Sequence, residues 1–175
     1  MRSIRQNVFE TNSSSTHSLT LTGSYNRKTY KLSESGYIEA GFDNYYSECT
    51  YDIYYTVEDK LRFLLTLISS FYYEKKYREY YEKNKVWRHI EYTTQKELKS
   101  TEEFKEIQTL VKQRIKGCKG LRFRRDSFLE TGEVNGGMDT HHHQECNNLK
   151  SYLKKNGITL EQFLFSPNIV IQMNR

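Results

Sequence analysis

Between residues 19 and 56 apolar side chains recur in short runs, LTLTG, TYKL, GYIEAGF and YDIYYT, punctuated by Gly23, Asn26, Gly36 and Gly41. Runs this short, rich in Tyr, Thr and Ile and bounded by turn residues, predict antiparallel strands or hairpins. Ile4, Val8 and Phe9 before this region also have the character of strand or core. At Thr56 the period changes. Thr56 and Asp59 have the spacing of a capping box, and Leu61, Leu64, Leu65, Ile68, Phe71 and Tyr72 then recur at helical spacing. The main core helix is predicted here, continuing to about Lys83.

A second helix is predicted from Ser100, with Glu103 completing a capping box and Phe104, Ile107, Leu110, Val111 and Ile115 as its buried stripe. Gly117 is placed to provide a left-handed C-cap. LRFRR alternates as a strand, with Leu121 and Phe123 on one face and Arg122 and Arg124 on the other. Residues 130–140 form a Gly-rich loop. HHHQECNNLKSYLKKNG reads as a helix ending at Gly157, Thr159 with Gln162 caps a short helix through Phe165, and NIVIQM is a final strand after Ser166 and Pro167. Strands and helices mix without regular βαβ alternation, so the expected fold is α+β, a mainly antiparallel sheet with packed helices. The expected organisation is one domain over 1–175 with a Tyr/Lys-rich helical middle segment around 72–118.

Composition adds to this picture. The chain has 175 residues, 36% of them hydrophobic and 28% charged, and its 15 Tyr and 9 Phe supply the area for a core. Disordered chains lack such aromatics. The net charge of +5 favours acidic partners: nucleic acid, an acidic protein face or a phosphate-bearing ligand. There is no run of 18 apolar residues and no signal-like segment after Met1, so a soluble, cytoplasmic protein with no membrane contact is expected. Cys49, Cys118 and Cys146 are odd in number and widely spaced, which fits reduced thiols.

Three stretches carry candidate chemistry. The run ETNSSSTHS contains Glu10, Asn12, Ser13, Ser14, Ser15 and His17. Hydroxyls and an Asn in series favour turns and caps, and they equally suit a pocket wall that binds phosphate or sugar, with His17 transferring a proton and Glu10 as base or orienter. The second stretch is DTHHHQEC, from Asp139 to Cys146. It reads as a solvated polar loop. It also reads as a divalent metal site in which His141, His143 and Asp139 or Glu145 would take Zn or Mn. On a strand, His141 and His143 share a face and His142 opposes them.

A third reading joins the two stretches. His17 and one histidine of the triplet would act as acid and base on an RNA 2′-hydroxyl and its leaving 5′-oxygen, which requires no metal. Asp139 would join Glu10, His17, His141 and His143 in the catalytic set, and Gln144 would bind the ligand with Asn12, Ser13, Ser14 and Ser15. The third stretch is basic: Lys112, Arg114, Lys116, Lys119, Arg122, Arg124 and Arg125 are seven cations in fourteen residues without an acid. Cations at a helix C-terminus offset its dipole, but so dense a run also predicts contact with nucleic acid or another anionic partner. The segment from Tyr72 to Lys96 combines core tyrosine with surface charge and has the composition of a base-stacking surface.

RQNVFETNSSSTHSLT resembles the opening of a group of small proteins from phages and mobile elements of Gram-positive bacteria. That group also tends to carry a later D-x-H-Q-like element and an F-x-F-x-P segment before its last strand, whose counterparts here are Asp139 to Gln144 and Phe163 to Pro167. THHHQE departs from the simple pattern and leaves open which histidine is equivalent. Some members that look like this chain are anti-CRISPR proteins against type II effector nucleases, including a kind that causes shortening of the guide RNA. The resemblance implies an inhibitor whose partners are a type II CRISPR effector nuclease and its guide RNA, acting by cleavage or shortening of that RNA, or as a non-catalytic binder. It covers both ends of the chain and not the tyrosine-rich middle.

Overall fold

A computed structural model describes residues 4–9, 16–21, 30–42, 52–86, 93–134 and 148–174. In 4–9, 16–21, 52–53 and 172–174 it is the backbone that is described. The helix expected after Thr56 is α1, Val57–Asn84, of 28 residues. Thr56 Oγ1 accepts from the Asp59 amide and Asp59 accepts from the Thr56 amide, so the capping box read from the sequence forms. The helix ends at Lys85, which takes a left-handed conformation (φ 55°).

From Val57 to Phe71, α1 is buried around most of its circumference, with Leu61, Leu64, Leu65 and Leu67 inaccessible to solvent. A helix apolar on nearly all sides has to be enclosed. α2 (Gln95–Ser100), α3 (Glu102–Arg114), α4 (Leu149–Lys155) and α5 (Leu160–Phe165) enclose it, together with β3 (Ile38–Ala40) and β4 (Asp52–Tyr54). Phe63 is at the centre of an aromatic cluster, with Tyr54, Tyr152 and Phe163 within 6.0 Å of its ring. Beyond Phe71 the helix becomes half-buried and then exposed. There Lys76 pairs with Glu97 at 3.0 Å, which ties α1 to the first turn of α2.

The remaining strands are β1 (Ile4–Phe9), β2 (Thr16–Leu21), β5 (Leu121–Phe123) and β6 (Ile169–Asn174). They form two sheets. One has the order β1-β2-β6-β4, antiparallel throughout, and the other is the parallel pair β3-β5. A fold built on a mainly antiparallel sheet is therefore not what is found. Helix forms the body: α1 alone has more residues than the six described strands together. The strand pair nearest the middle of the sequence is parallel. Parallel pairing needs a long crossover, and α1 to α3 supply one between β3 and β5. The alternating patterns of GYIEAGF and LRFRR are compatible with either direction of pairing, so the sequence pattern alone does not distinguish them.

Further differences are local. TYKL is not a strand over Tyr30–Leu32. The second helix is split: Thr94 caps α2, and Thr101, not Ser100, caps α3 by accepting from the Phe104 amide. α3 ends at Arg114 with Ile115 as its C-cap, two residues before Gly117. α4 begins after Asn148, and residues 141–147 lie outside the described residues. The Thr159–Gln162 box and the last strand form as read.

One buried charge stands out. Lys60 is 1% exposed, and its ammonium donates to the Ser166 carbonyl at 2.9 Å, at the C-terminal end of α5 where a cation is favoured. Burial lowers its pKa from 10.5 to about 8, against the opposing pull of Asp59. Below about pH 8 both folded and unfolded chains carry the proton and the cost of burial is fully present. As pH climbs toward 10.5 the folded chain loses it first, so the cost is relieved. Measured against Lys60→Met, the native chain should gain stability between pH 8 and 10.5, by roughly 3 kcal/mol at the upper limit. Urea midpoints of both proteins across that range check this, and a pH-independent difference refutes it.

Candidate nucleic-acid interface

β3 and β5 position most of the basic run. A turn at Ser33–Gly36 begins the pair: the Gly36 amide donates to the Ser33 carbonyl at 2.8 Å, with Gly36 at φ +83°, a conformation that favours glycine. The Tyr37 amide donates to Ser33 Oγ at 3.2 Å and fixes the way out of the turn. Strand pairing follows in register, Ile38 with Leu121, Glu39 with Arg122 and Ala40 with Phe123. It is extended by the amides of Lys119 to Gly36 O (2.8 Å) and of Arg124 to Ala40 O (3.0 Å). Gln108 of α3 anchors the start of β5 by accepting from the Leu121 amide. Gly120, at φ +130°, leaves room for it: a Cβ there would lie 2.7 Å from Gln108 Nε2.

Beneath the strip, Phe123 stacks between Phe42 and Phe104 at 5.6 and 5.5 Å and meets Phe128 edge-on at 5.0 Å. Above it, the Arg122 guanidinium lies 4.1 Å from the centroid of the Tyr37 ring and donates to Ser35 Oγ at 3.3 Å. The Arg124 guanidinium lies over Gly41, where a Cβ would be 2.9 Å from Nη2. The stem of Lys119 runs along Gly36, and Lys112 reaches Gly120 from the last turn of α3. Lys99 completes the edge, its ammonium 5.8 Å from the centre of the Phe123 ring.

All seven expected cations are exposed. They do not act alike. Arg114 is paired with Glu161 and so joins α3 to α5. Arg124 has Asp126 at 4.0 Å. Lys112, Lys116, Lys119, Arg122 and Arg125 have no carboxylate partner among the described residues. Such a surface attracts anions, and Arg122 and Arg124 are held in place before any ligand arrives.

Part of the polar N-terminal run lies among the described residues. Its last residues belong to β2, so Thr16, His17 and Ser18 are strand and not turn. His17 pairs with Phe9 on one side and Met173 on the other, and Met173 pairs with Asp52. Phe9, His17, Met173 and Asp52 thus form one row across the sheet, with His17 and Asp52 about 10 Å apart at two strand spacings. Residues 10–15 join the paired ends of β1 and β2. Glu10, Asn12, Ser13, Ser14 and Ser15 lie outside the described residues, as do Asp139, His141, His143 and Gln144. Among the described residues no group of three His, Cys, Asp or Glu could hold a metal. Cys118 is a free, half-buried thiol bonded to Gly120 of its own loop.

Sequence reasoning missed Ser35, Tyr37 and Gly41. Their one signal is the alternation of GYIEAGF, which sets Tyr37, Glu39 and Gly41 on one face; what they face depends on a pairing some eighty residues away. No helix among the described residues is long and apolar enough to cross a membrane. Compared with protein-family models, curated proteins and solved structures, the chain matches none.

Ser127, at the end of the 3-10 turn Arg125–Ser127, has a buried Oγ with no hydrogen-bond partner among the described residues. Removing an unsatisfied hydroxyl relieves its desolvation cost. Ser127→Ala should therefore leave stability unchanged or raise it by up to about 1 kcal/mol. A fall of that size in urea unfolding would show that the hydroxyl is bonded.

Proposed function

We propose that the chain is an inhibitor of a type II CRISPR effector nuclease that engages the guide RNA of its target through the β3–β5 strip. The nucleic-acid part rests chiefly on one observation: Arg122 is stacked on Tyr37 and bonded to Ser35 without a carboxylate partner among the described residues, beside Arg124 and Lys119. Fixed, exposed cations in series suit phosphate. The choice of target rests on the likeness of RQNVFETNSSSTHSLT to phage and mobile-element inhibitors.

In the catalytic form of this reading the guide RNA is shortened. His17 and one of His141 or His143 would serve as acid and base on opposite sides of one phosphate, with Glu10 and Asp139 orienting them and Asn12, Ser13, Ser14, Ser15 and Gln144 contacting the ligand. The RNA supplies its own nucleophile, the 2′-hydroxyl, whose attack on phosphorus expels the 5′-oxygen; the base takes the hydroxyl proton and the acid protonates the leaving oxygen. A divalent ion on His141 and His143 is the metal-assisted variant. The non-catalytic form has its own support, because the cations of the strip are arranged for binding and need no histidine.

Two experiments test this. Arg122→Glu, Arg124→Glu and Arg125→Glu together should weaken binding to the nuclease–guide complex and flatten log affinity against log salt by about 2 for a single strand. Unchanged affinity at low salt would remove the strip from the function. Incubating the chain with effector nuclease and labelled guide RNA, then running a denaturing gel, separates the forms. Shortening that survives EDTA, follows a bell-shaped pH profile and falls about 10²-fold or more in His17→Ala supports acid–base catalysis. Loss with EDTA and rescue by a divalent ion supports the metal. Full inhibition with intact RNA leaves the binder.

A further inference from the structure

Among the described residues Tyr37 is the ring that lies against an arginine of the strip, and aromatic rings next to cations in nucleic-acid sites commonly stack bases. The geometry here differs. The Arg122 guanidinium centre is 4.1 Å from the Tyr37 centroid, which is stacking distance, and Tyr37 is itself half-buried. The guanidinium covers one face of the half-buried ring, a face no longer open to a base. One of its nitrogens is committed to Ser35 Oγ. The fork is thereby turned, with its remaining N–H groups free for a ligand with paired oxygens.

Arg124, two residues on and on the same face, is about 7 Å away along the strand. It is seated over Gly41, the residue that leaves space for it. Lys119 is held along Gly36 at the other end. Two guanidinium groups are thus seated by the β3 segment, one on the Ser35–Tyr37 pedestal and one over the bare backbone of Gly41, and the Lys119 stem passes along Gly36. Two fork-shaped donors two residues apart on one face of a strand, with Lys119 just before it, suit a chain of anions.

We infer that this strip reads the sugar–phosphate backbone of an RNA strand without reading its bases, and that Tyr37 and Ser35 are positioning residues for Arg122. This rests on the guide-RNA reading above and specifies how that site takes its ligand. A lysine at 122 would keep the charge and lose both the fork and the stacking. Leucine at 37 would remove the pedestal and leave the charges in place.

Fluorescence anisotropy of the full chain with short labelled homopolymers of uridine and of adenosine tests it, at low and at physiological salt. The native chain should bind both within about twofold of each other, since phosphate contacts carry no sequence information. Arg122→Lys, at an exposed position that does not hold the core, should weaken both about tenfold. Tyr37→Leu should weaken both by the same factor, about threefold. If Arg122→Lys binds like the native chain, or if Tyr37→Leu loses affinity for adenosine alone, the backbone-reading inference is overturned while the nucleic-acid interface stands. Competition by poly-glutamate as effective as RNA at equal charge would assign the strip to an acidic protein face and overturn it as well. No binding of either homopolymer by the native chain at low salt removes the guide-RNA reading of the strip and this inference with it.

Discussion

Between Val57 and Phe71, α1 buries side chains around most of its circumference, and this constraint organises the rest of the molecule. A helix with one apolar stripe can rest on a sheet; one that is apolar nearly all round needs walls. Four shorter helices and two short strands provide them. The walls come from both sides of α1 in sequence, so the chain has to pass around its own longest element. The parallel pair β3-β5 is one product of that route, since β3 precedes α1 and β5 follows α3. The site on this pair therefore depends on the packing of α1 even though none of its cations belongs to that helix.

The basic residues show how neighbouring charges in one sequence run acquire different duties. Arg114 is drawn into an ion pair with α5, where it contributes to assembling the helical wall. Lys112 bends back over Gly120. Arg122 and Arg124 are held outward by an aromatic ring and by a glycine. What distinguishes them is the partner element within reach. An exposed ion pair contributes little stability, whereas an arginine fixed before its ligand arrives loses less conformational freedom on binding.

Much of the local structure was legible in the chain. Thr56–Asp59 and Thr159–Gln162 cap their helices as their spacing indicates, because a capping box is a contact between residues three apart. The apolar stripe of α1 and the last strand were equally plain. Sheet direction was not, because alternation specifies faces and says nothing about which partner, or which direction, lies alongside. The cap of α3 was placed one residue early: Ser100 and Thr101 are adjacent hydroxyls, and the choice between them depends on α2 occupying Ser100. The cation run was visible as charge, but its division into a structural and an outward set depends on Glu161, Tyr37 and Gly41, all distant in sequence. Of the proposed acid–base pair, the sequence pattern identified His17 as polar chemistry, and strand pairing places it in a sheet row with Asp52 that no local pattern suggests.

The strand order β1-β2-β6-β4 has a consequence for the order of events when the protein is made. β2 and β4 are not paired with each other; β6, the last in sequence of the six described strands, sits between them and pairs with both. Until it arrives, the hairpin of β1 and β2 has one unsatisfied edge and β4 has another, and an isolated two-stranded hairpin is barely stable in water. Completion of the sheet must wait until β6 is synthesised, and closure spans about 150 residues, which makes it a slow, non-local step. His17 sits at that seam. Whatever chemistry belongs to its row of the sheet is absent from a nascent chain and comes into being only when β6 slots in.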